Sequence, residues 1–116
     1  MSESPEISGL CPLRRDLRGC ELAVLADLSS QTCLLTSAEI PVGQEQFDAL
    51  CREGAGLLQA HENSEETLAV AASATGTRLF IRDSAKRPEA LCLLFSPAAS
   101  LSGVEARGRA YLRNAE

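Results

Sequence analysis

Aromatic residues are scarce in this chain: no tryptophan, one tyrosine and three phenylalanines among 116 residues. The core must therefore be aliphatic, built on Leu, Val, Ile and Ala, with Phe47, Phe80 and Phe95 as its few large rings. Basic charge is also short. Eleven Lys and Arg stand against sixteen Asp and Glu, for a net charge of -5. That balance argues against nonspecific nucleic-acid binding and against docking on an anionic membrane, because both require a positive field. No uncharged apolar run approaches the ~18–20 residues needed to cross a bilayer. The first residues, Met1 to Glu6, are acidic and carry neither the basic nor the apolar region of a secretory signal.

Metal and redox signatures are missing too. His61 is the single histidine, which excludes a His-rich metal site. The five cysteines (Cys11, Cys20, Cys33, Cys51 and Cys92) are odd in number and lie nine or more residues apart. A disulfide framework is usually even and denser, and a zinc site usually shows close pairs. Reduced thiols in a cytoplasmic protein are the expected state, with Cys20, Cys33 and Cys51 packing together in the core. A nucleophilic triad needs a general base oriented by a third group. His61 falls at a helix end, where capping suits it better than catalysis. Gly43 before Gln44 is a lone glycine without the lysine of a phosphate-binding loop. The chain is expected to be no enzyme and to hold no metal or cofactor.

What is present is a pattern of α and β segments. Residues 1–9 read as a loose leader, and residues 10–116 as one domain. A short helix over 10–18 opens at Pro12, a residue tolerated at the first helical position, and Gly19 ends it. Residues 20–27 are apolar at nearly every position after Glu21, as in a strand covered on both faces. Leu28-Ser29-Ser30-Gln31 turns the chain into a return strand over 32–37.

The strongest helix runs from Gly43 to Ala60. Phe47, Leu50, Cys51, Gly54, Leu57, Leu58 and His61 recur at three- and four-residue steps along it. Strands over 67–74, 77–82 and 89–95 follow, with Thr75-Gly76 as a two-residue turn between the first two. A last helix opens at Ser100 as N-cap. The sum is an α+β domain: an antiparallel sheet of roughly five strands, one helix between strands 2 and 3, and a C-terminal helix.

That order resembles the roadblock family of dynein light chains and bacterial GTPase regulators, which have a profilin-like fold. Three stretches carry the resemblance: Leu17 to Asp27, the helix from Gln44 to Ala60, and the strands from Thr67 to Phe95 with the terminal helix to Asn114. Two features depart from the family. Leu28-Ser29-Ser30-Gln31 stands where an Asp-Gly type turn is usual, and the first helix is short and interrupted by Pro12. The resemblance implies a homodimer or heterodimer, with the central helices packed together and the sheets joined. It also implies a scaffold role or a partnership with a small Ras-like GTPase.

Two candidate surfaces follow. Phe47, Leu50, Gly54, Leu57 and Leu58 form the helix stripe expected to associate. A self-complementary patch of this kind is how twofold dimers are built. Arg78, Phe80 and Arg82 share one strand face by the period-two rule. With Lys86 and Arg87 they form a candidate patch for an acidic partner, although a solvated sheet face is the plainer reading. The acidic run Glu62, Glu65 and Glu66 reads as a soluble loop. The alternative to an interaction module is a small-molecule sensor of profilin-like or PAS-like type, with its ligand held between sheet and helix.

Overall fold

The computed structural model describes residues 9–58, 67–84 and 87–114. In chain order the elements are α1 (Leu10–Asp16), β1 (Cys20–Asp27), β2 (Thr32–Ala38), α2 (Gln44–Leu58), β3 (Leu68–Ser73), β4 (Gly76–Ile81), β5 (Glu89–Phe95) and α3 (Val104–Asn114). The strands form one sheet in the order β2-β1-β5-β4-β3, with every neighbouring pair antiparallel. The expected α+β sheet of five strands is thus present, with helices on both of its faces.

The central strands explain their composition. β1 and β5 pair along nearly their whole length, from Leu22 opposite Leu94 to Ala26 opposite Ala90. Both of their faces are covered, so alternation is replaced by an almost unbroken apolar run. On one face Leu22, Val24, Ala26, Phe80, Ala90 and Cys92 meet Phe47, Leu50, Cys51, Ala55 and Leu58 of α2. On the other, Ala23, Leu25, Leu79, Ile81, Leu91, Leu93 and Phe95 meet Leu10 of α1 and Val104 and Leu112 of α3. Each large side chain sealed this way contributes about 1.5–3 kcal/mol.

Several boundaries differ from the sequence reading. α1 begins at Leu10, two residues before Pro12. The ring still sits in the first turn, where backbone N–H groups have no intrahelical acceptor. The β3–β4 turn is Ala74-Thr75, because Gly76 already pairs with Ser73. α3 starts at Val104 and not at Ser100. Ser100 Oγ accepts a bond from Ser102 N in a local turn, and Gly103 follows at φ 77° before the helix begins.

The β1–β2 connection replaces a glycine turn with side-chain bonds. Asp27 Oδ1 accepts from Ser29 N, Ser29 Oγ and Ser30 N, and these bonds lower its pKa. Gln31 takes the left-handed conformation at φ 55° that an Asp-Gly turn would give to glycine. The leader residues 1–8 and His61, Glu62, Glu65 and Glu66 lie outside the described residues.

Candidate interaction surface

α2 is positioned by its apolar stripe. Its first turn is closed by Gln46 Oε1 accepting from Gly43 N at 3.0 Å. In the middle, Gly54 lets the helix backbone settle onto the sheet: a methyl there would stand 2.8 Å from Phe80 Cδ1 and 3.2 Å from Cys92 Sγ. At its C-terminal end, Arg82 Nη2 donates to the Leu58 carbonyl at 3.0 Å. The Arg82 backbone N–H donates to Thr67 O at 2.9 Å, so that end of α2 lies beside the start of β3.

This packing narrows the expected helix interface. Phe47, Leu50, Gly54 and Leu58 are buried against the chain's own sheet, and of the five named residues only Leu57 is exposed, at 39%. The stripe is wider than one buried seam, and Leu57 lies on its outer margin. Around it, α2 presents Glu45, Asp48, Ala49, Arg52 and Gly56 to solvent.

Part of the expected basic patch is covered. Arg78, Phe80 and Arg82 do share a face, but it is the face that α2 covers. Phe80 is fully buried and Arg82 is 2% exposed. Burial lowers the Arg82 pKa. Arg78 Nε is bound to Glu53 Oε1 of α2 at 2.6 Å. Arg87 is exposed on the β4–β5 connection, and Lys86 lies outside the described residues. Arg78 and Arg82 hold the helix to the sheet.

Arg109 does the same for α3, which the sequence reading missed. It donates to Arg82 O, Thr67 Oγ1 and Glu105 Oε2. Its one sequence signal is the Glu105–Arg109 spacing of one helical turn.

The cysteines also regroup. Cys20 faces the α1/α3 side, because β1 loses register between Cys20 and Leu22. Its place beside Cys33 and Cys51 is taken by Cys92. Burial pushes the Cys20 thiol up to about 12 and the Cys33 thiol up to about 11, and raises Cys51 and Cys92 as well. All four favour the neutral form.

The two sheet edges are unlike. β2 carries a bulge: Leu25 faces Leu35 and Ala26 faces Cys33, leaving Leu34 as the extra residue. A bulge twists an edge and blunts it against further pairing. β3 pairs with β4 in unbroken register from Leu68 to Ser73. It carries no proline, charge or bulge, and exposes Val70 at 54%.

Two cavities lined by described residues are shallow. One, about 250 Å³, lies among Asp16, Arg18, Ser100 and Arg107. The other, about 190 Å³, lies between α2 and the sheet at Leu22, Ala49, Arg78 and Leu94. Both fall below the roughly 300–1,000 Å³ of small-molecule pockets. Among the described residues, no group of His, Cys, Asp and Glu is arranged to hold a metal ion, and no helix is long and apolar enough to cross a membrane.

Solved structures share this architecture. The chain superposes on a Roadblock/LC7 domain from Streptomyces avermitilis with a TM-score of 0.73 at 10% identity, covering 89% of this chain and 88% of that one. An MglB structure described as a tetrameric arrangement gives 0.72 at 16% identity, over 98% and 89% of the two chains. The gliding protein MglB from Thermus thermophilus gives 0.70 at 17%, over 97% and 88%. No protein-family model and no curated protein matches the sequence. The fold is that of a roadblock domain.

Proposed function

We propose that the chain is a non-enzymatic, dimeric interaction module of roadblock type that serves as a regulator or scaffold for a small Ras-like GTPase in the cytoplasm. The observation that carries the dimer is the β3 edge. Natural sheets blunt their free edges with charge, proline or bulges, and Leu68-Ala69-Val70-Ala71-Ala72-Ser73 has none of these. Pairing this strand with its twofold copy continues the sheet. It also brings the C-terminal ends of two α2 helices together, because α2 ends beside the start of β3. Leu57 and the small residues Ala49 and Gly56 of α2 then flank the paired edge on one face of the sheet, and Val70, opposite Leu79, flanks it on the other. One helix face and one strand edge per chain are of the right size for the about 1,200–2,000 Å² of a stable interface.

Light scattering during size-exclusion chromatography tests the dimer, whose expected mass is twice 12.3 kDa. Leu57→Glu is expected to yield monomer, since the charge would be buried against its own copy. Leu34→Glu on the bulged edge is expected to leave the dimer intact. A wild-type monomer across a concentration series, or a dimer lost only with Leu34→Glu, refutes this surface. The GTPase reading is tested by anisotropy titration against small Ras-like GTPases from the same genome, with tighter binding expected for one nucleotide state. Equal or absent binding in both states leaves the scaffold role alone.

A further inference from the structure

Three thiols from distant parts of the chain meet under the N-terminal half of α2. Cys33 stands on edge strand β2 opposite Ala26, on the face that α2 covers. Its Sγ is 3.6 Å from Asp48 Oδ1, and Cys33 packs against the core cluster that contains Cys51. Asp48 and Cys51 lie one helical turn apart on α2. Cys92 is behind them on β5, fully buried. Cys33 is the half-buried member of the group and Cys51 a sealed one. An incoming reagent therefore meets Cys33 first, and Cys51 waits beside it.

We propose that Cys33 and Cys51 form a reversible intramolecular disulfide, by exchange with a low-molecular-weight disulfide, that staples α2 to edge strand β2. Cys33 Sγ attacks one sulfur of the reagent, forming a mixed disulfide and expelling one small thiolate. Cys51 Sγ then attacks Cys33 Sγ, closing the Cys33–Cys51 bond and expelling the second. The protons of the two cysteines end on the two released thiols. The cysteine pair loses two electrons and the reagent gains them. This inference is independent of the dimer and GTPase readings, since β2 lies at the sheet edge opposite β3.

The surroundings make the bond slow to form and local once formed. Asp48 bears on Cys33 from α2, and on Cys51 together with Arg52 of α2 and Asp27 of β1; Cys92 of β5 adds a third thiol, itself facing Glu53 of α2. The Asp48 carboxylate opposes a thiolate at Cys33, so Asp48 acts as a brake on the first step. Proximity then favours the second step, because it is intramolecular.

The test uses the full chain in a Cys11→Ser background, which removes the exposed thiol, with excess oxidised glutathione as probe. Peptide mapping is expected to recover a Cys33–Cys51 link that a dithiol reductant reverses. Cys51→Ser is expected to hold glutathione on Cys33. The initial rate should rise about tenfold per pH unit from neutral pH upward. At fixed pH, Asp48→Asn should raise it by about threefold or more. Should Cys51→Ser fail to fold, the map of the Cys11→Ser protein decides alone. A mixed disulfide that persists on Cys33 while Cys51 is free overturns the proposal. So does a Cys51–Cys92 link, the absence of any link, or a rate unmoved by Asp48→Asn.

Discussion

α2 and α3 lie on opposite faces of the same sheet, and each meets it at a glycine. At Gly54 the nearest atoms are a phenylalanine ring and a sulfur; at Gly108 they are Ile81 Cδ1 at 2.7 Å and Leu91 Cδ2 at 3.2 Å. All three side chains are fully buried, but Ile81 Cδ1 and Leu91 Cδ2 are the far ends of rotatable chains, whereas Phe80 Cδ1 belongs to a rigid ring. The polar ties differ in the same sense. α2 is held by Arg82, sealed between helix and strand. α3 is held by Arg107 on Asp16 O and by Arg109, at the partly wet rim. The α2 face is therefore the more rigidly specified of the two. A rigid seat on the inside keeps the outer face of that helix fixed.

The contrast can be broken by overpacking. Gly54→Val is expected to lower stability by about 3 kcal/mol and Gly108→Val by about 1–2 kcal/mol, read from denaturant midpoints. Equal losses would mean that the aromatic seat is no stiffer than the aliphatic one. The arginines give the next largest effect. Arg82→Leu leaves the Leu58 carbonyl without this donor in a dry place and should cost about 2 kcal/mol. Arg109→Leu exposes its acceptors to water and should cost about 1 kcal/mol. The smallest effect belongs to Arg78–Glu53, partly exposed at 23% and 32%. A double-mutant cycle with Arg78→Met and Glu53→Gln should give a coupling of about 0.5–1 kcal/mol that shrinks with added salt.

Much of the fold was legible because hydrophobic period and turn chemistry are local. The run Leu22 to Ala26 signalled a strand buried on both faces, and Phe47, Leu50, Cys51, Gly54 and Leu58 signalled the inner face of α2. The candidate surfaces were legible only in part. Periodicity groups residues on a face without saying what the face meets. Leu57 and Leu58 are neighbours in one stripe, yet one faces solvent and the other the core. Arg78 and Arg82 read as a surface patch because their acceptors, Glu53 and the Leu58 carbonyl, come from an element more than twenty residues away.

By itself the sequence determined the element types, their order, the acidic balance and the aliphatic core, all set by residues close together along the chain. Only the tertiary structure decided which thiols meet, which edge is blunted, which arginines are internal and which leucine of α2 is left outside. Each of these depends on pairing between distant segments. A one-residue irregularity, such as the register shift beside Cys20 or the extra Leu34 in β2, is enough to turn a side chain to the opposite face.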